Sequence, residues 1–474
     1  MDFSDISVWS FIIQMGILMV ALLIANFLRR ISPAVRRTLM PVAVIAGFIL
    51  LALKYIFKGY GIEIINGPLY EMFVYHAIAL GFIAMSLRTT DDADKSGGKM
   101  IGVKSGAIIV STYLIQGMIG LAVSLILCKT FMPDLFPASG LLLPMGFGQG
   151  PGQANNVGTT YELAGMSGGR SYGLAVAACG YIVACTIGVL ILNILKREGK
   201  LKDRKANGSN DTVSVGFFQD EDELPVSDSV DRLSIQIALI FAVYILTYFV
   251  TIGLTTIFDS IGVGGMLNSI LWGFNFIIGS AVAILVRVIF KQGKEKKIIK
   301  KQYQNNYILN RISGFFFDIM IVAGIASIDI EDLHGYLIPF ILMCGIGTVA
   351  TWFWLTLVCK KTYGDYYYEG LLSMYGMLTG TIGSGVLLLR EIDPNYETPA
   401  ANNLVLGSSF GILFGAPMLV LIGLSKSGFN NSLLTFVLVA VYWVILSLVI
   451  QFAGRRKVKN KSGDEAEASS KDGE

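Results

Sequence analysis

Apolar residues recur along this chain in blocks long enough to cross a bilayer as helices, separated by short polar segments. The blocks fall at about 8–28, 39–57, 69–87, 103–127, 171–195, 233–258, 265–290, 308–327, 336–358, 402–424 and 431–452. A helix of this length covers the hydrocarbon thickness of a membrane. The pattern predicts an all-α polytopic membrane protein. Two further blocks, 139–166 and 369–393, are apolar at their ends but interrupted by glycine and small polar residues.

The interruptions decide the topology. Cytoplasmic loops carry the excess of Lys and Arg. Here the basic clusters are Arg29, Arg30, Arg36 and Arg37; Arg88, Lys95, Lys99 and Lys104; Lys196 to Lys205; Lys291 to Lys301; Lys360 and Lys361; and Arg455 to Lys459. Placing all of them on one side works only if 139–166 dips in and returns on the outer face. By the same arithmetic, 369–393 dips in from the cytoplasm. The N-terminus is then outside and the C-terminus inside.

The chain accordingly reads as two similar halves of opposite orientation, each with five spans and a re-entrant broken-helix hairpin. The first repeat covers 1–196 and the second 232–427, with an extra helix at 428–454. A polar linker at 197–231 and a charged tail at 455–474 are both expected in the cytoplasm. Phe73–Leu87 (FVYHAIALGFIAMSL) and Phe315–Ile328 (FFFDIMIVAGIASI) echo each other across the halves, as expected of inverted repeats.

Composition sharpens this reading. Of 474 residues, 54 % are hydrophobic and only 15 % charged, against about a quarter charged in soluble domains. Mean hydropathy is +0.63. The net charge of +3 lies in loop clusters that orient a membrane protein, a distribution unlike a nucleic-acid footprint. The five cysteines form no CxxC pair, and small buried apolar groups are the expectation for them. The acidic start at Met1–Ser7, followed by an apolar block ending in Arg29 and Arg30, has the wrong polarity for a signal peptide. The only histidines are His76 and His334, and no GxxxxGK[ST] loop occurs. Catalytic triads, His-rich metal sites and ATP-driven pumping lack their residues, so neither an enzyme nor a resident cofactor is expected.

Function is expected at the interruptions. The first reads Leu143-Pro-Met-Gly-Phe-Gly-Gln-Gly-Pro-Gly-Gln-Ala-Asn-Asn156, the second Tyr375-Gly-Met-Leu-Thr-Gly-Thr-Ile-Gly-Ser-Gly385. Neither can be a continuous helix. Non-helical backbone at membrane depth persists only where it lines a cavity, and paired breaks in the two halves point to a midplane transport site. The substrate-binding candidates are Gly148, Gln149, Gly150, Gly152, Gln153, Asn155, Asn156, Gly376, Thr379, Gly380, Thr381, Gly383 and Ser384. A helix restarting near Asn155 aims its positive end at the break, which suits an anion. Asp318, an acid inside a span, is a candidate for Na⁺ or H⁺ coupling together with Thr379, Thr381 and Ser384. His76 holds the equivalent place in the first half. Arg390 fits positive-inside anchoring, and Arg170 lies outside against the charge rule.

The two stretches resemble the bacterial sodium/glutamate symporter family. Gly148-Gln-Gly-Pro-Gly-Gln-Ala154 stands where that family carries a GHGTGAA-type run, with Gln149 at its histidine. Glu369 followed by Gly376, Gly380, Gly383 and Gly385 resembles the acid and glycine run of its second half. The resemblance, with the order of spans and the central linker, covers nearly the whole chain. It implies Na⁺-coupled uptake of glutamate or a related acidic amino acid in the bacterial plasma membrane. It also implies a homodimer in which the hairpin-bearing part slides against a scaffold. Another carboxylate, a neutral amino acid, proton coupling, antiport and a channel remain as alternatives.

Overall fold

In the computed structural model, residues 4–88, 98–201, 229–262, 268, 271–297, 303–394 and 397–452 are described. Most of the polar linker and the whole charged tail lie outside the described residues, as does the start of the block placed at 265–290.

The described residues are helical, with no strand among them. In chain order the helices are α1 (Ile6–Ile31), α2 (Pro33–Arg37), α3 (Val42–Lys58), α4 (Gly67–Ser86), α5 (Gly98–Lys129), α6 (Pro151–Glu162), α7 (Gly169–Arg197), α8 (Ser229–Ser260), α9 (Asn275–Glu295), α10 (Asn306–Ala326), α11 (Leu337–Tyr363), α12 (Tyr367–Thr379), α13 (Ile382–Arg390), α14 (Ala400–Ser425) and α15 (Phe429–Phe452). Among the described residues, nine helical stretches are long and apolar enough to cross a membrane, so this is a polytopic membrane protein. Side-chain caps set several starts. Asp5 accepts from the Ser7 amide, Asn66 from Leu69 and Asn305 from Ile308. Basic residues close the last turns of α1, α7 and α11, where they complement the negative helix end.

Burial separates central helices from peripheral ones. In α5, 78 % of the apolar window is buried; in α1 only 17 % is. Leu23 and Phe27 of α1, Ile245 and Phe249 of α8, and Val441 and Ile445 of α15 are all exposed. Surfaces this apolar suit lipid, not water.

The helices pack in two groups. α4 lies against α10 and α9, and α3 against α10 and α1. Ser313 Oγ donates to the Gly81 carbonyl at 2.9 Å across the α4–α10 contact. In the second group, α5 packs on α11, α14 and α15, and α7 on α6 and α12.

Contacts between helix ends and the segments that join them define two ends. At one, Lys58 pairs with Glu331 at 2.6 Å and Arg170 pairs with Glu71. There too, Ser171 donates to Asp332 at 2.9 Å, Tyr161 hydrogen-bonds Ser425 at 2.9 Å and Lys129 lies over the Phe429 ring. Burial would raise the Asp329 carboxyl, but the Glu331 amide, the Tyr55 hydroxyl and the charges of Lys54 and Lys58 hold it below its usual value. At the other end, Arg88 donates to Asn310 at 3.2 Å, Ser105 hydrogen-bonds Tyr363 at 3.0 Å and Asn403 donates to Tyr366 at 2.9 Å. Each of these contacts joins segments that the Lys/Arg count assigns to the same face.

Candidate functional site

The first interrupted block begins as a short 3-10 turn, Pro137–Leu141, continues as a π-type turn, Pro144–Gln149, and breaks at Gly150. Gly150 has φ +89° and ψ −174°, a region open essentially to glycine alone. α6 restarts at once with Pro151. The restart lies four residues earlier than Asn155, because proline at the first helical position brings a preset φ and no N–H to satisfy. The Phe136 and Tyr161 rings are 5.2 Å apart, so the two arms return to the same end of the bundle, that of Lys58.

The second block runs in as α12, breaks at Gly380 and Thr381, and returns as α13. Its arms touch backbone to backbone: a Cβ placed on Gly376 would lie 2.9 Å from Gly385 Cα. Its base, at Tyr363 and Tyr366, is tied to Ser105 and Asn403 at the Arg88 end. The hairpins therefore enter from opposite ends, and their tips meet. A Cβ built on Gly150 would stand 3.3 Å from Thr381 Cγ2 and 3.9 Å from both the Gly380 carbonyl oxygen and the Tyr181 hydroxyl.

A cavity of about 430 Å³ opens beside the tips and runs toward the Arg88 end. Gly148, Gln149, Gln153, Asp318, Thr381 and Gly383 all line it. The other candidates lie behind this wall. Gly150 and Gly380 form the contact between tips. Gly152 packs on Ile78 and Met320, and Gly376 packs on Leu388 and Gly385; these two serve close approach. Thr379 is fully buried, its hydroxyl donating to the Tyr375 carbonyl at 2.8 Å. Asn155, Asn156 and Ser384 are buried with polar atoms lacking a hydrogen-bond partner. Of the remaining spans' polar groups, His76 is bonded to the Tyr244 hydroxyl at 2.7 Å and does not line the cavity.

Two helix N-termini, those of α6 and α13, open at this point, and neither has a side-chain cap. Gln153 is 3 % exposed and its Oε1 has no partner. The amides at the two positive helix ends make a site for an anionic group, while the Gln153 oxygen, an acceptor, calls for a donor beside it. Asp318 faces the same cavity from α10 and is exposed within it. No family model matches the chain, and no curated protein matches it either.

The sequence reading missed Gln116 and Tyr181. Gln116, fully buried on α5, donates from Nε2 to the Leu378 carbonyl at 2.8 Å and to Thr351 at 3.0 Å. It thereby holds the end of α12, whose last carbonyls lose their helical partners at the break. The signal was an amide inside the apolar block 103–127. Tyr181, fully buried, reaches toward Thr381 without completing a hydrogen bond. Gln116→Leu should lower thermal stability in detergent by about 1–3 kcal/mol, the cost of leaving the Leu378 carbonyl unpaired. An unchanged melting temperature would show that the bond does not hold the tip.

Proposed function

We propose that this protein is a secondary active transporter in which Na⁺ entry drives uptake of a carboxylate solute, foremost an amino acid. The observation that carries the reading is the tip-to-tip meeting of two broken helices entering from opposite ends beside one cavity. Soluble cores have little use for such breaks, whereas transporters use the freed peptide groups as ligands at the membrane midplane.

Packing supports the two-repeat reading. α3 lies on α10 as α4 lies on α9, and α1 on α3 as α8 on α9. Exchanging the halves maps each pair onto the other, and α4–α10 and α5–α11 onto themselves. Positive-inside charge places the Arg88 end in the cytoplasm, the N-terminus outside and the C-terminus inside.

In this mechanism the N-termini of α6 and α13 hold the carboxylate, and the Gln153 oxygen accepts from a donor group of the solute. The Gly380 carbonyl and the hydroxyls of Thr381 and Ser384 supply oxygens for Na⁺. Cation and carboxylate neutralise each other where water is scarce, so each strengthens the binding of the other. The Lys58–Glu331 and Arg170–Glu71 pairs close the opposite end while the cavity faces the cytoplasm. The exposed faces of α1 and α8 are surfaces for lipid or for the second subunit of a homodimer.

Uptake into proteoliposomes tests the reading. Labelled amino acids, glutamate included, should accumulate only under an inward Na⁺ gradient and should leak out when it is dissipated. Accumulation driven by a pH gradient in Na⁺-free buffer would replace Na⁺ with H⁺. Flux far above carrier turnover, indifferent to gradients, would indicate a channel.

A further inference from the structure

Resting on that reading, we infer that the site takes an α-amino acid with a large apolar side chain, its ammonium group held by Asp318, in preference to glutamate. Three observations carry this. Among the described residues lining the cavity, only Asp318 and Arg88 bear a formal charge. Asp318 has no ion-pair partner among them and is exposed to the cavity. It therefore presents a negative group to the same cavity that two uncapped helix N-termini adjoin, and the unpartnered Gln153 oxygen adds a second acceptor for an ammonium group. A zwitterion satisfies both poles at once: carboxylate on the amides, ammonium on Asp318. A dicarboxylate without an amino group would leave Asp318 facing like charge.

The side chain then meets a wall that is mostly apolar, and the Ser313 and Ser408 hydroxyls on it donate to the Gly81 and Leu404 carbonyls. Phe82 packs against Phe276 and edge-on against Phe317, with ring centroids 5.0 and 5.4 Å apart, and Ile78, Met320 and Met377 line the cavity with them. The cation that would suit a glutamate side chain is in the wrong place. Arg88 is held by the Asn310 side chain and the Met85 carbonyl. Asn310 precedes Asp318 by eight residues on α10, about 12 Å along the helix axis. The three C–C bonds of a glutamate side chain span only about 4 Å. Anchored at Asp318 and the tips, glutamate would bury its second carboxylate among phenylalanine and methionine, a costly placement. A leucine or phenylalanine side chain gains burial there.

Purified full-length protein in proteoliposomes, given a Na⁺ gradient and labelled L-leucine, tests this. L-Leucine and L-phenylalanine should be taken up and should compete with each other. L-Glutamate and 4-methylpentanoate, which is leucine without its amino group, should compete at least about tenfold less well, the size of one charge-assisted contact. Asp318→Asn, of the same shape, should lose most of the preference for leucine over 4-methylpentanoate. Its thermal unfolding in detergent without solute should match the parent. Na⁺-driven glutamate uptake that leucine does not inhibit would overturn this inference and leave the transporter reading standing. So would an unchanged leucine preference in Asp318→Asn. Absence of gradient-driven uptake of any amino acid would overturn both.

Discussion

Gly150→Leu should reduce uptake by about 100-fold or more while the protein still inserts and folds. Two effects combine at this position. The backbone sits at φ +89° and ψ −174°, where a leucine Cβ is strained by about 1–3 kcal/mol. The new side chain would also start 3.3 Å from Thr381 Cγ2, so it must push the two tips apart. A preorganised site loses about 100-fold in rate for a displacement near 1 Å. The strain is local to the contact between the tips, whose nearest atom is the side-chain methyl of Thr381 and not backbone, so the surrounding helices keep their packing. Gly253→Leu is the matched control, since a Cβ there meets nothing within 4 Å. Transport should be read as initial uptake rate per unit of monodisperse protein. Normal rates in Gly150→Leu would mean that the tips do not form the transport site.

Gly120→Leu should instead destabilise the fold, by about 3 kcal/mol or more. A Cβ on Gly120 would lie 1.9 Å from the Gly140 carbonyl oxygen, and one on Gly140 would lie 2.1 Å from the Gly120 carbonyl carbon. α5 and the first arm of the hairpin thus touch backbone to backbone, and neither can yield by rotating a side chain. Overpacking of a tight interior typically costs about 1–3 kcal/mol, and displacing two main chains puts this case at the upper end or above. Thermal unfolding in detergent measures it, with Gly16→Leu as the control because a Cβ at Gly16 meets open space. Equal melting temperatures for the two variants would show that the arm is not seated on α5. The two glycine variants separate function from stability: one position is a hinge of the site, the other a seam of the scaffold.

The distinction between those glycines was not visible in the chain itself. Gly120 lies in a block that reads as an ordinary span, and its partner Gly140 stands twenty residues later at the edge of an interrupted one. Small residues permit close helix packing, but which two meet depends on how the arm folds back. Gly376 shows the converse. It sits in the interrupted run and reads as a ligand, yet it seats α12 on α13, with Leu388 and Gly385 against it.

What the sequence alone determined was the class of protein, the helical blocks and the two places where helices had to break. Hydrophobic length and glycine–proline clusters act through local physics: the hydrocarbon thickness demands about twenty apolar residues, and a run such as Gly148-Gln-Gly-Pro-Gly cannot keep its ladder of hydrogen bonds. The charge count gives an expectation of which loops share a face, and the contacts Lys58–Glu331 and Arg88–Asn310 each join two segments that it groups together. Only the tertiary structure decided that the breaks touch, that Gln116 on a distant helix holds the end of α12, and that Asp318 faces a mostly apolar chamber while Arg88 is bound to Asn310, eight residues before Asp318 on α10. These are relations between residues tens to hundreds of positions apart. They are set by which helix faces pack together, and that is a property of the assembled bundle which no local pattern encodes.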